Sequence, residues 1–277
     1  YYFGVNFPHK ELQIINRMGV WIFSTVVLFL VIIFFAYASF IIFKQKRLSE
    51  IQKDFINNMT HEFKTPISTI SLSAEVLKKP DIMDVPGRLL SYATIIQNES
   101  IRLKTQVDRV LQMATLDEDP VILKNEQFDI HEVLEETVQS ILPKIESLNG
   151  TILLTANARN GNVKGDRLHL TNILFNMFDN AIKYCGNKNP KIEITTQNQA
   201  ECIEINIKDY GIGIAKQQQS KIFVKFYRVP TGNTHDVKGF GLGLYYVKLM
   251  TQAHGGSVSL VSEPDKGSVF TLKIPNV

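Results

Sequence analysis

The distribution of hydrophobic and polar positions divides the chain into three regions, of which residues 18–43 form the first. No charged side chain occurs in this stretch. A bilayer core requires about 20 apolar residues, so its length predicts one transmembrane helix. A signal peptide would have a shorter apolar core followed by small residues at a cleavage site. The chain begins at Tyr1 without an initiator Met, and we expect residues 1–17 to be an extracytoplasmic juxtamembrane remnant.

The charges that flank this apolar stretch predict its orientation. Lys44, Lys46 and Arg47 follow it closely, whereas only Lys10 and Arg17 precede it. Positive charge accumulates on the cytoplasmic side of membrane proteins. We therefore expect a location in the cell (inner) membrane, with everything after residue 43 in the cytoplasm.

In the second region, residues 44–116, apolar side chains recur every three or four positions, as on one face of an α-helix. Two such stripes are separated by residues 80–87, which contain two prolines and a glycine. This pattern predicts an antiparallel helical hairpin. Pairing two hairpins into a four-helix bundle would bury both stripes, so we expect a homodimer; the alternative is a hairpin packed on its own downstream domain. The first stripe comprises Leu48, Ile51, Phe55, Met59, Phe63, Ile67, Ile70, Ala74 and Leu77. The second comprises Leu89, Ala93, Ile96, Ser100, Leu103, Val107, Val110 and Ala114.

His61 lies between two members of the first stripe but on the opposite side of the helix. At about 100° per residue its side chain points toward solvent, with Asn57 one turn before it and Thr65 one turn after it. Pro66 cannot donate a backbone hydrogen bond, and we expect a bend in the helix just beyond His61. A histidine displayed in this way is accessible to another domain.

In the third region, residues 117–277, short strands alternate with helices after a linker at 116–125. Helices are expected at 130–149, 167–184 and 242–253, with Pro143 disturbing the first and Asp166 capping the second. Strands with helices on one face favour a two-layer α/β sandwich, and the fold class of the whole chain is α+β. Strands are expected at 127–129, 151–156, 163–164, 191–196, 202–209, 257–262 and 268–274.

Charge and cysteine content exclude some classes of function. The net charge of +3 is spread along the chain and predicts no nucleic-acid surface. Cys185 and Cys202 are spaced for neither a metal site nor a disulfide framework, so we interpret both as structural.

Two short motifs of the third region have the chemistry to bind a nucleotide. The first, NMFDNAIKY at residues 176–184, places Asn176, Asn180 and Lys183 on one helix face; an Asn oxygen suits Mg²⁺, and the Lys would offset phosphate charge. The second, DYGIGI at residues 209–214, places Asp209 at a strand end, where it can accept a hydrogen bond from an exocyclic amine such as that of adenine. Capping, surface polarity or a tight turn would explain either motif alone.

Two further motifs follow in order. IFVKFYR, at residues 222–228, ends in Arg228, whose guanidinium is suited to a phosphate, while its aromatic residues are more typical of a core. KGFGLGL, at residues 238–244, has alternate glycines that open a helix, where backbone amides can cradle phosphate oxygens. It matches neither the dinucleotide fingerprint nor the phosphate-loop pattern. Each motif is weak by itself, but the four in this order are specific.

HEFKTP at residues 61–66 resembles the H box of sensor histidine kinases, and the four later motifs resemble the N, G1, F and G2 boxes of the GHKL ATPases, which include gyrase, Hsp90 and MutL. The resemblance implies ATP and Mg²⁺ as cofactors, bound beneath a mobile lid at residues 229–237. It implies that His61, Glu62 and Thr65 are catalytic and that Asn180 is a metal ligand. The nucleotide-binding residues that it implies are Asn176, Asn180, Lys183, Tyr184, Asp209, Gly211, Gly213, Arg228, Gly239, Gly241, Leu242 and Gly243.

Together these motifs predict a membrane-embedded histidine kinase of the two-component type. His61 would take the γ-phosphoryl group of ATP and pass it to an aspartate in the receiver domain of a response regulator. Glu62 would orient the imidazole and accept its proton. By resemblance, Glu62 and Thr65 would also serve to dephosphorylate that partner. The alternatives are a GHKL ATPase with a mechanical or repair role and a catalytically silent scaffold that binds a regulator.

Overall fold

The structure is a computed structural model, and it describes residues 1–4, 10–80, 82, 85–115, 122–229 and 239–276. Side chains at 10–17, 109 and 112–115 lie outside that description. The chain divides into two compact units, Tyr1–Asp54 and Phe55–Val277.

Helix α1, Lys10–Leu77, contains the boundary between the two units. Within the first unit it includes a stretch that is long and apolar enough to cross a membrane by length and composition. The large side chains of this stretch are exposed, including Trp21, Phe29 and Phe40. The helix begins at Lys10, inside the segment 1–17 that was expected to be an extracytoplasmic juxtamembrane remnant.

In the second unit, the end of α1 and helix α2, Pro86–Thr115, form the expected helical hairpin. Pro66 lies inside α1 without ending it. Helix α2 begins two residues before the expected start because proline is well suited to the first helical turn, where its missing N–H is not needed. Ile67 is 49% exposed and Leu89 is 37% exposed in this single chain.

The rest of the second unit is built around a five-stranded sheet in the order β2-β4-β5-β7-β6. Strand β2 runs parallel to β4, and the other neighbours are antiparallel. Strands β1 and β3 form a separate antiparallel pair. The strands are β1 Glu126–Asp129, β2 Thr151–Ala156, β3 Asn162–Gly165, β4 Lys191–Gln199, β5 Cys202–Asp209, β6 Ser257–Glu263 and β7 Gly267–Pro275.

Helices α3 (Ile130–Ser147), α4 (Arg167–Lys183) and α6 (Gly243–Ala253) form a second layer on this sheet, and α5, Lys216–Gln219, is a single turn. Register places alternate apolar residues of neighbouring strands opposite one another, as in the pair Ile194 and Ile207. These side chains are almost fully buried, as are Phe178 of α4 and Val247 of α6. The expected two-layer α/β sandwich within an α+β chain is confirmed.

The helix cap and the cysteines of this part of the chain are as the sequence predicts, whereas Pro143 does not interrupt its helix. The Asp166 carboxylate accepts a hydrogen bond from the His169 N–H and caps α4. Helix α3 continues through Pro143 because Ile141 and Ile145, on either side, are held in the core. Cys185 and Cys202 are free thiols. The expected lid, except residue 229, and positions 116–121 of the expected linker lie outside the described residues.

Candidate functional site

Helix α4 presents the two asparagines of the first nucleotide motif to a cleft. Its opposite side carries Ile173, Met177 and Phe178 into the core, so Asn176 and Asn180 are left on the cleft side. The Asn176 Nδ2 donates to the carbonyl oxygen of Asn172 at 2.7 Å. A Cβ at Gly243 would lie 3.0 Å from Asn176 Oδ1, which shows how closely the start of α6 approaches this side chain.

Asp209 ends β5 with its carboxylate held by backbone donors. Its Oδ1 accepts hydrogen bonds from the N–H of Gly211 at 2.9 Å and of Ser268 at 3.2 Å. Burial raises the pKa of the Asp209 carboxyl above its ordinary value, although these two backbone donors act in the opposite direction. The carboxyl is therefore oriented by the fold before any ligand arrives, and it lines the same cleft as the asparagines.

Two glycines beside Asp209 are required by close packing. At Gly211 a Cβ would overlap the carbonyl oxygen of Tyr184. Gly213 has a φ of 65°, and a Cβ there would overlap the carbonyl oxygen of Glu263. Glycine tolerates both the positive φ and the close backbone contact. These glycines allow the turn after β5 to pack against the end of α4 and the β6–β7 turn.

Tyr184 and Arg228 lie on the cleft wall and interact electrostatically. Burial is the main factor that raises the pKa of the Tyr184 hydroxyl, with a smaller contribution from Asp179, and the positive charge of Arg228 opposes both. Arg228 therefore places a guanidinium where it can act on an anionic ligand in the cleft.

Asp179 lies between the two asparagines and was not among the expected site residues. Its Oδ1 pairs with Lys144 Nζ of α3 at 2.8 Å, and its Oδ2 pairs with Lys183 Nζ at 2.6 Å. Burial acts to raise the pKa of Asp179, but the two ammonium groups hold that pKa below its ordinary value. Lys183, expected near the phosphates, lines the cleft with its ammonium group paired to this carboxylate.

The cleft has a volume of about 870 Å³ and lies within the second unit. Residues from all four nucleotide motifs line this cleft together with Glu62 of α1, which identifies it as the expected nucleotide site. The expected site residues on its wall are Glu62, Asn176, Asn180, Lys183, Tyr184, Asp209, Gly213, Arg228, Gly239, Gly241, Leu242 and Gly243. Wall residues that sequence reasoning missed include Arg102, Gln106, Lys144, Asp179, Phe240 and Ser268.

His61, Thr65 and Gly211 do not line the cleft among the described residues. His61 and Thr65 are exposed on α1, in agreement with the outward placement expected from the helical period. The Thr65 hydroxyl donates to the His61 carbonyl oxygen at 3.3 Å, a long bond to the preceding turn. Glu62, the neighbour of His61, is half-buried at the cleft wall.

The residues present suit a Mg²⁺–nucleotide complex better than a metal held by protein alone. Among the described residues there is no cluster of three His, Cys, Asp or Glu side chains that could hold a metal ion. Mg²⁺ is commonly held by one or two protein oxygens with substrate phosphates and water. The side-chain oxygen of Asn180 on the cleft wall fits that donor set.

Phe55 occupies a different environment from the expected seam between two hairpins. Phe55 is 9% exposed, and its ring lies 3.9 Å, centroid to centroid, from that of Phe226. Phe226 belongs to the part of the second unit that follows α2 and carries the four nucleotide motifs, which we call the nucleotide-binding layer. Met59 and Val110 also pack against the core cluster that includes Phe55. The assignment of Phe55 to a dimer seam is therefore wrong, because this part of the stripe is covered by the same chain.

Two protein-family models match this chain, one over the helical hairpin and one over the nucleotide-binding layer. Residues 51–119 match the His kinase A (phospho-acceptor) domain. Residues 165–277 match the histidine kinase-, DNA gyrase B- and HSP90-like ATPase family.

Curated relatives agree with these matches. The chain is 42% identical over 275 residues to sensor protein RprX of Bacteroides fragilis, covering 98% of this chain and 52% of that protein. It is 33% identical over 230 residues to the sensor-like histidine kinase SenX3 of Mycolicibacterium smegmatis, covering 83% of this chain and 59% of that protein. The chain thus spans a little over half the length of these relatives.

Among solved structures, the chain is similar to histidine kinase ThkA in its complex with the response regulator protein TrrA. The TM-score is 0.60 at 27% identity, over 84% of this chain and 64% of that one. With the two domain matches and the curated relatives, this similarity shows that the chain belongs to the sensor histidine kinases of two-component systems.

Proposed function

We propose that this chain is an ATP-dependent protein-histidine kinase that phosphorylates its own His61 and passes the phosphoryl group to an aspartate of a response regulator. One observation carries the proposal: Glu62, adjacent to the exposed His61, lines the same cleft as the four nucleotide motifs. The residue next to the nucleophile thus lines the nucleotide site, and both belong to one compact unit.

The cleft offers a partner for each part of ATP. The Asp209 carboxyl, already oriented by two backbone N–H groups, accepts a hydrogen bond from the adenine amine. The backbone amides near Gly241 and Gly243, together with Arg228, would bind the phosphates. Asn180 would hold Mg²⁺, which supplies positive charge to the phosphates. The Lys144–Asp179–Lys183 cluster joins α3 to α4 at this wall and carries a net positive charge.

Transfer to His61 follows from positioning and proton removal. An imidazole nitrogen attacks the γ-phosphorus, the new N–P bond forms as the P–O bond to ADP breaks, and ADP leaves with that electron pair. Glu62 accepts the imidazole proton, a role that suits a carboxylate beside the nucleophile. The resulting phosphoramidate is labile enough to be passed on. Glu62 and Thr65 together also support removal of phosphate from the regulator.

The proposal includes partners and a location. ThkA was solved with the response regulator protein TrrA, which supports a receiver domain as the phosphoryl acceptor for this chain. The match to the phospho-acceptor domain and the exposed apolar side chains of the hairpin, such as Ile67 and Leu89, support a homodimer. The apolar stretch of α1 supports a membrane location. The basic residues that follow it, Lys44, Lys46 and Arg47, support a cytoplasmic catalytic part.

Chemical stability of the bound phosphate tests the proposed function. The full chain in detergent, given labelled ATP and Mg²⁺, is expected to acquire phosphate that acid releases and alkali does not. His61→Gln is expected to abolish this label while ATP binding persists. His131→Gln is the matched control, because His131 lies on α3 and contacts Thr196, away from the cleft wall. Label retained by His61→Gln, or lost equally in the control, would contradict the assignment.

A further inference from the structure

Four phenylalanine rings join α1 to the nucleotide-binding layer within the second unit. Phe55 lies 3.9 Å from Phe226 and 6.4 Å from Phe240, measured between ring centroids. Phe63 lies 5.8 Å from Phe240 in an edge-on arrangement. Packed aromatic pairs attract one another beyond the effect of the apolar area that they bury. We call these residues the aromatic contact.

A backbone hydrogen bond links the segment that carries Phe226 to the segment that carries Phe240. Phe226 has a φ of 67°, which is uncommon for a residue with a side chain. Its N–H donates to the carbonyl oxygen of Gly241 at 3.1 Å, next to Phe240. Because Phe240, Gly241 and Gly243 all line the cleft, the aromatic contact is attached directly to the glycine loop.

On the hairpin side, the aromatic contact brackets the nucleophile. Phe55 lies six residues before His61, and Phe63 lies two residues after it. Between them, Glu62 reaches the cleft wall, where Asn176 and Asn180 also lie. Glu62 is therefore held at the nucleotide cleft of its own chain, and His61 precedes it on the exposed side of the same helix turn.

We infer that Phe55 and Phe63 are positioning residues that dock each nucleotide-binding layer on the α1 of the same chain, so that the phosphoryl group passes to His61 in cis. This inference rests on the proposed function. In cis transfer, the N–P bond at His61 forms, the P–O bond to ADP breaks, and ADP keeps that electron pair, all within one chain. Phosphoryl transfer depends mainly on positioning, and a small displacement of the reacting groups lowers its rate strongly.

Mixed pairs of full chains test the direction of transfer. Chains with His61→Gln and chains with Asn180→Ala, each with its own tag, are co-expressed, and mixed dimers are isolated in detergent through both tags. If transfer occurs in cis, neither chain can acquire labelled phosphate, because one lacks the nucleophile and the other lacks the proposed metal ligand. We expect label at the level of the Asn180→Ala homodimer. Label on the Asn180→Ala chain at about half the wild-type rate would overturn the inference.

Two controls separate this outcome from failure of the proposed function. The wild-type dimer must label; if it does not, the kinase assignment fails and the direction of transfer has no meaning. If no mixed dimers form, the labelling rate of wild type per chain is measured against protein concentration. Independence from concentration supports cis transfer, and a rate that rises with concentration overturns it.

Substitutions in the aromatic contact test the positioning role. Phe63→Ala and Phe55→Ala are expected to lower the labelling rate at saturating ATP about tenfold or more, as misplacement of reacting groups does. The KM for ATP is expected to change little, because neither residue lines the cleft. Phe63→Leu is expected to recover part of the rate.

The matched control is Ile56→Ala, next to Phe55 on α1 but 60% exposed and outside the aromatic contact. It is expected to label at the wild-type rate, and light scattering on each variant checks that the oligomeric state is unchanged. An unchanged or faster rate in Phe63→Ala would overturn the positioning role, as would a rise in KM with no change in rate.

Discussion

The individual residues of the cleft have different roles, and Asn180 and Asp209 are the clearest pair to separate. Asn180 is proposed as the metal ligand, whereas the Asp209 carboxylate is held by the backbone N–H groups of Gly211 and Ser268 for the adenine amine. Asn180→Ala is therefore expected to weaken Mg²⁺–ATP binding far more than binding of metal-free ATP.

Asp209→Asn is the comparison for that prediction. It is expected to weaken both forms of ATP about equally and to reduce the preference for adenine over guanine. Calorimetry with and without Mg²⁺ measures both effects. Equal losses in the two variants would show that the two roles are wrongly divided.

Asp179 provides a prediction about pH. Its folded-state pKa lies below the ordinary value of 3.8 because Lys183 and Lys144 outweigh the effect of burial. A lowered pKa stabilises the fold above the unfolded value, and that contribution is lost as pH falls through the folded pKa. Asp179→Asn is expected to cost roughly 1.5–3 kcal/mol at neutral pH, typical of hydrogen bonds to charged groups. The difference from wild type should shrink below about pH 4.

Denaturant unfolding of a soluble piece spanning residues 48–277, repeated across this pH range, measures that difference. Glu263→Gln is the control, because it removes an exposed pair with Lys266 on the protein surface. Its effect is expected to be much smaller at every pH. A difference for Asp179→Asn that stayed constant down to pH 2 would contradict the role of the ion pairs.

At the scale of elements, the turn after β5 depends on Gly213. Because its φ is 65° and a Cβ would overlap the carbonyl oxygen of Glu263, Gly213→Ala must displace the β6–β7 turn. We expect a loss of stability of about 1–3 kcal/mol, as for other overpacked sites, together with weaker ATP binding. Gly87→Ala in α2 is the control, since its Cβ would meet no atom within 4 Å. Equal stability of the two variants would show that the turn after β5 does not require glycine at position 213.

Within helix α1, Thr65 is expected to separate two activities. Its hydroxyl donates a long hydrogen bond to the His61 carbonyl oxygen, and its side chain is exposed on the same outward face as His61. Thr65→Ala preserves helix propensity and the apolar stripe. We expect autophosphorylation near the wild-type rate and a strongly reduced dephosphorylation of the regulator.

Both rates are measured on one preparation with the true partner. Thr69→Ala, which makes a similar bond to the Thr65 carbonyl one turn further along, is the control and is expected to retain both activities. A collapse of autophosphorylation with intact dephosphorylation would place Thr65 in the kinase reaction instead.

At the scale of the whole molecule, the structure changes which residue tests dimerisation. Phe55 packs on its own chain, whereas Ile67 is 49% exposed in a single chain. Ile67→Asp would bury a charge in the seam of a four-helix bundle, which is costly unless the charge is paired. We expect light scattering to give dimers for wild-type residues 48–277 and monomers for this variant.

The exposed position Lys64→Asp is the control for introduced charge, and it is expected to leave the dimer intact. A wild-type piece that is monomeric at tens of micromolar would contradict dimerisation through the hairpin. Dissociation by both variants would show that charge, not the apolar seam, controls association.

The sequence by itself determined the elements and the chemistry that they carry. Helical period placed His61 and Thr65 outward on α1, and alternation placed β2 at Thr151–Ala156 and β5 at Cys202–Asp209. These signals are local: they depend on the geometry of one helix or strand, or on a motif of a few residues. For that reason the nucleotide motifs could be recognised before their positions in space were known. The i,i+4 spacing of Asp179 and Lys183 is a local signal of the same kind, and it is sufficient to predict their ion pair.

Only the tertiary structure decided which distant residues meet. Lys144 joins Asp179 from another helix, Ser268 joins Asp209 from another strand, and Phe55 packs on Phe226. An amphipathic stripe shows that a helix face will be covered but carries no information about what covers it, because apolar burial is non-directional. The stripe on α1 was therefore compatible with a second hairpin or with the same chain. At Phe55 the packing of the rings decided between the two.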